Sequence, residues 1–367
     1  MLQTHTIITF SEKEKEMRSK VKISDILKSS FILILAVLTV IFPKETADSA
    51  VGSINICINS IIPSMFAFMV ITTYIQSSCL YRVIFRPILP ALSRIVRADD
   101  NILSIFLLSL IGGYPVGIKL LKEDIAQNTN SPAIARGHSI ASLFCYCISP
   151  SFAIIMIGNG VFGSTEAGVI VYISSTLANI TAAAVISHIY DLKSSSNREK
   201  TFTGNLTGAV NSASKALFGI CTVIVAFNIA LTCVSELLKC AGIIVPPIVA
   251  GFFEISNLLN IESPSVSLIP FVSAIASSGG ICVMLQCAAI GGDILKINEF
   301  IAARVSCALL SGLYTMIILK FTDISVSVST FARNYSYEFS ANTIIVPVLT
   351  AMCIIIFYKS DKILKNV

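Results

Sequence analysis

The first residues that could take part in binding are a glycine pair followed by tyrosine and proline: Gly112, Gly113, Tyr114 and Pro115. Glycine permits a positive φ in a tight turn, and proline is favoured in the first turn of a helix, so a turn into a new helix is predicted. The positive end of that helix would suit an anion or a carbonyl oxygen, and Tyr114 would hydrogen-bond to or stack on a ring. A structural kink between two short helices is the alternative.

Two charged side chains lie in similarly apolar surroundings. Lys119, one helical turn after Pro115, would either neutralise a carboxylate or extend to the cytoplasmic interface, and the sequence leaves both open. Glu254 is followed by Ser256 and Asn257, and ionisable groups within membranes are usually functional. We interpret Glu254 as a coupling or gating carboxylate or as an acceptor for a ligand; a helix cap is the alternative.

Serine, proline and glycine interrupt two further apolar stretches. Ser149, Pro150 and Ser151 remove one helical hydrogen bond and supply two hydroxyl groups, so local unwinding is expected. The second interruption has no proline, and its candidate residues are Ser277, Ser278, Gly279 and Gly280, with Gln286 within two turns. Close helix packing through small residues is the alternative for both.

The composition identifies the surroundings of these residues. Of 367 residues 54% are apolar and 13% charged, and the mean hydropathy is +0.83, whereas a soluble domain has about 25% charged residues. This excludes a cytosolic enzyme, a disordered tail and a coiled coil. The net charge of +5 is dispersed, which argues against nucleic acid as a partner. A polytopic helical membrane protein remains.

Spanning helices need about 20 apolar residues. Eight stretches are predicted to span: 26–42, 54–75, 138–158, 167–189, 216–236, 268–290, 300–320 and 342–358. Stretches 102–121 and 243–259 are broken into halves of about ten residues and are predicted to be re-entrant hairpins. Both termini are then cytoplasmic, and all but four of the 26 basic residues are on that side. Whether 26–42 is retained or cleaved as a signal peptide stays open.

The order of these elements repeats. Span, broken stretch, interrupted span and plain span occur in 51–190 and again in 216–320, each with three crossings, so the second copy must have the opposite orientation. Inverted repeats of this kind are typical of secondary transporters. The remaining segments are a cytoplasmic N-terminus (1–25), a first helix and loop (26–50), a cytoplasmic linker (191–215), and a loop, last helix and basic tail (321–367).

Other chemistry is not indicated by the sequence. It contains no activated nucleophile, phosphate loop or dinucleotide fingerprint, so an enzyme is disfavoured, and no cofactor is expected beyond a coupling H+ or Na+. The 11 scattered cysteines are interpreted as packing residues, without a metal site. Arg304 is expected to extend to the membrane interface. His138 and His188 are at ends of predicted spans without companions for catalysis.

The segments 112–119 (GGYPVGIK), 149–151 (SPS), 251–257 (GFFEISN) and 278–286 (SGGICVMLQ) carry a resemblance to a known family. The chain resembles the sporulation integral membrane proteins of the YlbJ (SpoVV) family over about residues 50–320. That family has a nucleoside-recognition or gate domain and is similar in architecture to concentrative nucleoside transporters. The resemblance implies transport of dipicolinic acid across the outer forespore membrane. Ile148 and Met284 stand where polar residues would be expected, which weakens transfer of the exact substrate.

The leading hypothesis is therefore a secondary transporter of a small organic anion, most simply dipicolinic acid, working by alternating access in a lipid bilayer. A nucleoside or nucleobase transporter is the alternative within transport. A non-transporting membrane scaffold for spore envelope assembly is the alternative from another class. The oligomeric state, a homo-oligomer included, stays open.

Overall fold

A computed structural model of the chain describes residues 23–78, 80–127, 132–190, 192 and 205–326. Within these ranges the regular elements are helices, and the one β-type pairing is an isolated bridge between Ala98 and Leu192. Five helical segments are long and apolar enough to cross a membrane: Pro43–Ser77, Thr165–Ile189, Leu206–Cys240, Val266–Ile294, which is broken at Gly279, and Ile297–Leu319. The described chain is thus an all-α integral membrane protein, as its composition predicts.

These five helices contain the predicted spans 54–75, 167–189, 216–236, 268–290 and all but the last residue of 300–320. All but the last residue of the predicted span 26–42 lies in the helix Ile23–Ile41. The predicted span 138–158 is not one helix, because a non-helical segment divides it. The predicted span 342–358 lies outside the described residues, as do most of the predicted segments 1–25, 191–215 and 321–367.

The helices follow one another in the order α1 (Ile23–Ile41), α2 (Pro43–Ser77), α3 (Tyr81–Ile84), α4 (Leu89–Ile95), α5 (Asp100–Gly112), α6 (Tyr114–Gln127), α7 (Pro132–Ala141), α8 (Phe152–Phe162), α9 (Thr165–Ile189), α10 (Leu206–Cys240), α11 (Pro247–Phe253), α12 (Ile269–Ser278), α13 (Gly280–Gly291) and α14 (Ile297–Leu319). Helix α2 contains a π-helical segment, Cys57–Ile61, and most of α8 is π-helical. A 3-10 helix, Ile255–Asn260, follows α11.

Each predicted hairpin is a pair of helices that pack on each other. Gly113 alone joins α5 to α6, which are 13 and 14 residues long, more than the predicted ten. The second pair is shorter, with seven residues in α11 and six in the 3-10 helix. Glu254 joins them with extended φ and ψ of −139° and 115°, so the helix cannot continue through it.

Both predicted interruptions are breaks in helical structure, each with a local cause. The first begins after Ala141 and lasts until Ser149, where Pro150 lacks an N–H group and disfavours helical backbone in the residue before it. The second lies between α12 and α13, where Gly279 and Gly280 have φ of +76° and +73°. Left-handed backbone of this kind is ordinarily restricted to glycine.

Helix packing brings the interrupted helices and hairpins together. Helix α9 packs on α8, α12 and α14, while α6 packs on α13 and α10 packs on α2. Large apolar side chains cover the outward faces, with Ile32 65%, Phe218 65% and Leu309 71% exposed. An apolar exterior of this extent fits lipid rather than water.

Candidate functional site

The turn between α5 and α6 touches the non-helical segment of the first interrupted helix. A Cβ atom on Gly113 would lie 3.2 Å from that of Ser149, and one on Gly117 would overlap the carbonyl oxygen of Cys145. Because neither position has room for a side chain without rearrangement, the hairpin backbone lies directly on the unwound backbone. Gly117 is absent from the predicted site residues. It lies one helical turn after Gly113, and this spacing is the sequence signal that could have identified it.

Two tyrosines connect the first interruption to the second. The rings of Tyr114 and Tyr146 have centroids 4.9 Å apart, and both residues are buried. Tyr114 donates a hydrogen bond from its hydroxyl group to the carbonyl oxygen of Ala276, and Tyr146 donates to that of Ser278 at 2.8 Å. Carbonyl groups in the last turn of a helix have no amide partner within the helix, although that of Ala276 also accepts from the N–H of Gly279 at 3.2 Å. The tyrosines therefore cap the end of α12 from the other half of the molecule.

The glycine pair after α12 lies against both halves of the molecule. A Cβ on Gly279 would overlap the hydroxyl oxygen of Tyr146, and one on Gly280 would lie 3.1 Å from the carbonyl oxygen of Phe252. The second break thus faces Tyr146 on one side and the end of α11 on the other. Tyr146 is a functional candidate that the sequence analysis missed, and its polar ring within an apolar run was the available signal.

Glu254 is completely buried at the junction that follows α11. Its Oε1 atom accepts a hydrogen bond from the backbone N–H of Ser256 at 3.1 Å, so the predicted capping role is present. Its Oε2 atom and the hydroxyl of Ser256 are buried without a hydrogen-bond partner among the described residues, although the thiol of Cys282 is a neighbour. Buried polar atoms are nearly always hydrogen-bonded, so these two can receive a ligand, an ion or a proton.

Asn257 anchors the same junction to the surrounding helices. Its amide group donates to Asn228 of α10 at 2.8 Å, and Asn228 donates to the hydroxyl of Ser53 on α2 at 2.9 Å. Asn257 also donates to the backbone carbonyl of Glu254 at 3.2 Å. The side chain therefore holds Glu254 in place and has its donors engaged within the protein.

Lys119 does not join the groups at the hairpin tips. Its ammonium group donates to the hydroxyl of Ser212 and lies 3.7 Å from the carboxylate of Glu123, and its side chain is 18% exposed. Lys122 donates to the carbonyl oxygen of Ile290 at 2.7 Å. The positive charge of Lys119 is thus partly offset by a carboxylate one turn away. Neutralisation of a substrate carboxylate, the first of its two predicted roles, would require an unpaired charge.

Most of the predicted serines have partners within the protein. Ser149 accepts from the N–H of Phe152 and lies 3.2 Å from the hydroxyl of Ser151, which makes it the cap of α8. Ser277 donates to the carbonyl of Cys307 at 3.3 Å, and Ser278 donates within α12. These bonds fit the packing interpretation.

The remaining predicted site residues are Gln286, Gly112 and Pro115, and they lie at three different positions. Gln286 donates to the thiol of Cys282 at 3.4 Å, which places it next to the neighbour of Glu254. Gly112 and Pro115 flank the turn at Gly113, at the end of α5 and in the first turn of α6. They shape the turn rather than presenting a side chain.

Arg304 corrects a prediction, because its guanidinium group is buried with 0% exposure and does not extend to an interface. It donates to the carbonyl oxygen of Tyr146 at 2.9 Å, to that of Leu143, and to Oδ1 of Asn179 at 3.1 Å. The guanidinium carbon also lies 4.8 Å from the centre of the Tyr146 ring. The unwound segment therefore turns its carbonyl groups toward an arginine from the second half of the chain.

His138 has a titratable neighbour that the sequence analysis does not predict. Its Nε2 atom lies 2.8 Å from Oδ2 of Asp124, and both side chains are 2% exposed. Asn101 donates to the same carboxylate oxygen at 2.7 Å, and Tyr81 donates to Asn101 at 2.8 Å. This buried network lies at the base of the first hairpin, on residues for which the sequence analysis predicts no role.

The described cysteines are free, and most are buried within helices, as their interpretation as packing residues requires. Scans of this chain against protein-family models, curated proteins and solved structures each found no match. The site is therefore assessed on its geometry: two helix breaks, two hairpin turns, a tyrosine pair and a buried carboxylate in one continuous set of contacts.

Proposed function

We propose that the chain is a secondary transporter of a small organic anion and works by alternating access. The observation that carries this proposal is the contact between the two helix breaks, in which Tyr114 and Tyr146 bond to the carbonyl groups preceding Gly279. Irregular backbone at membrane depth is tolerated where it is buried in protein or lines a polar cavity. Transport sites are commonly built from such discontinuous helices.

The repeated element order supports a two-part transporter. A long helix, a helical pair, an interrupted helix and a second long helix occur in α2–α9 and again in α10–α14. In our proposal the two copies are inverted, the chain has about eight spans, the two pairs are re-entrant, and both termini are cytoplasmic. The distribution of basic residues favours this orientation. Rocking of one copy against the other would then expose the site to each side in turn.

An anionic ring compound suits the chemistry of the site. The buried start of α6 directs the positive end of a helix to the interior, and the rings of Tyr114 and Tyr146 offer aromatic faces. The resemblance to the sporulation membrane proteins favours dipicolinate, carried across the outer forespore membrane. We propose no enzymatic step and no cofactor for this protein.

Glu254 has the coupling or gating role in this proposal. Its Oε2 atom and the hydroxyl of Ser256 lack a hydrogen-bond partner in the part of the chain that the structure describes, and both are oxygen ligands suited to a proton or Na+. Binding of the ion would remove the cost of a buried, incompletely paired carboxylate, and this would favour closure of the second hairpin over the site.

The same carboxylate favours a second candidate, a nucleoside carrier. The Oε2 atom of Glu254, which has no hydrogen-bond partner among the described residues, would accept a hydrogen bond from a sugar hydroxyl, and a base would stack on one of the tyrosine rings. A nucleoside is neutral, so the two candidates differ in the charge of the substrate.

Uptake by the purified full-length protein in liposomes distinguishes these candidates. We expect accumulation of labelled dipicolinate that depends on an imposed pH or Na+ gradient and resists excess uridine. Inhibition by uridine with no uptake of dipicolinate would favour the nucleoside carrier. Uptake of neither compound by correctly folded protein would contradict transport and favour a membrane scaffold, in which the same hydrogen bonds only pack helices.

A further inference from the structure

Arg304 is an unusual charged residue because it is fully buried and bonded to neutral groups. Its two terminal nitrogens donate to the carbonyl oxygens of Leu143 and Tyr146 and to the side chain of Asn179. Its Nε atom has no partner among the described residues. The rings of Tyr146 and Phe300 lie 4.8 and 5.6 Å from the guanidinium carbon.

The two backbone acceptors need this arginine because the helix is interrupted there. Leu143 and Tyr146 lie between α7 and α8, and no described backbone N–H group donates to either carbonyl. A buried carbonyl group without a partner costs about 1–3 kcal/mol. Arg304 therefore replaces the amide donors that the unwound backbone lacks and fixes the orientation of Tyr146.

The charge of Arg304 is not cancelled by these contacts. In the described part of the chain no carboxylate lies within 4.0 Å of the guanidinium, whereas Lys119 has Glu123 at 3.7 Å. Carbonyl and ring dipoles reduce the cost of burying a cation but leave its unit charge in place. The unwound segment of the first interrupted helix thus has a positive charge buried next to Tyr146.

Tyr146 contacts both this charge and the candidate site. Its ring centroid lies 4.8 Å from the guanidinium carbon of Arg304 and 4.9 Å from the ring centroid of Tyr114, and its hydroxyl bonds to Ser278 next to the Gly279 turn. We propose that Arg304 is the specificity-determining residue of the site: acting through Tyr146, it gives the site its preference for anions, a role that one of the two sequence interpretations gives to Lys119. This inference rests on the proposed transport function.

The test compares two ligands of nearly equal shape, the dianion pyridine-2,6-dicarboxylate and the neutral pyridine-2,6-dicarboxamide. Their relative inhibition of labelled dipicolinate uptake in liposomes measures the anion preference. Arg304→Gln is expected to reduce the preference about a hundredfold, the order given by the interaction of one unit charge with a dianion at about 10 Å and an effective dielectric of about 20. Arg304→Lys retains the charge and is expected to retain most of the preference.

A second variant keeps the arginine and cancels its charge. Asn179→Asp places a carboxylate where the amide oxygen now lies, 3.1 Å from the guanidinium, and is expected to reduce the preference as Arg304→Gln does. This variant also serves if Arg304→Gln does not fold. Arg86→Gln, an exposed arginine outside the site, is the control and is expected to leave the preference unchanged.

The outcomes separate the inference from the proposed function. Wild-type protein that transports neither compound would overturn both. Wild-type protein with an anion preference that survives both Arg304→Gln and Asn179→Asp, or that is lost in Lys119→Gln alone, would overturn only the inference. Equal loss of preference in Arg304→Lys and Arg304→Gln would also overturn it, because bracing of the backbone rather than charge would then be responsible.

Discussion

The Nε2 atom of His138 lies 2.8 Å from Oδ2 of Asp124 in the interior of the protein. The other ring nitrogen, Nδ1, lies 2.9 Å from the carbonyl oxygen of Ile134, and because a carbonyl group only accepts, Nδ1 carries a proton. The Nε2–Oδ2 contact then shares a further proton between an acid and a base. This contact joins the last turn of α6 to the last turn of α7, so it holds the first hairpin against the first interrupted helix.

Removing the carboxylate from this pair should destabilise the protein strongly. We expect Asp124→Ala to lower the free energy of unfolding by about 3–5 kcal/mol, the cost of leaving one partner of a buried pair alone. Denaturant unfolding of the purified protein in detergent micelles measures this change. The control is His188→Ala, because His188 is exposed and bonds only within its own helix, and a change below about 0.5 kcal/mol is expected. Equal effects of the two changes would contradict the structural importance of the pair.

Close contact between the first hairpin and the unwound segment depends on Gly117. In Gly117→Ala the added Cβ meets the carbonyl oxygen of Cys145, so we expect a loss of at least about 1–3 kcal/mol and reduced uptake. Gly219→Ala is a matched control, because Gly219 is within α10 and has no atom within 4 Å of an added Cβ. The control should be neutral or stabilising by up to about 1 kcal/mol. Thermal unfolding of both variants provides the comparison, and a stable Gly117→Ala protein would refute the contact.

The hydroxyl of Tyr146 should matter for the second helix break. Tyr146→Phe retains the ring but leaves the carbonyl oxygen of Ser278 without its donor, at an expected cost of about 1–3 kcal/mol. Dipicolinate uptake should also decrease, because the turn at Gly279 loses a constraint. Tyr190→Phe, at a site that is 39% exposed, is expected to change neither quantity. Wild-type stability and uptake in Tyr146→Phe would show that the hydroxyl is dispensable.

Glu254→Gln separates the capping role of this residue from its proposed coupling role. The amide oxygen of glutamine can still accept from the N–H of Ser256, so the fold should be retained. Without an ionisable group, we expect uptake to lose its dependence on an imposed pH or Na+ gradient. Glu262→Gln, an exposed carboxylate, should retain the wild-type dependence. A gradient response that persists in Glu254→Gln would exclude it as the coupling group.

Local chemistry explains which features were predictable from the sequence. Glycine and proline act on their own backbone and their immediate neighbours, so the turn at Gly113 and the break before Pro150 follow from residue type alone. Apolar length is also a local property, and five predicted spans coincide with helices long enough to cross a membrane. The predicted span 138–158 is divided because the unwound segment is longer than one proline requires, and Arg304 and Gly117 lie against it.

The sequence by itself thus determined the helical membrane class and the positions of turns and breaks, whereas the tertiary structure decided the partners. Arg304 bonds to residues that are 125 and 158 positions away, and Lys119 is associated with Ser212 and Glu123. Such contacts depend on which helices pack together and at what angle, and hydrophobic periodicity carries no information on either. The sequence therefore predicts an interfacial position for a basic residue near a span end, whereas helix packing places Arg304 against unpaired carbonyl groups in the interior.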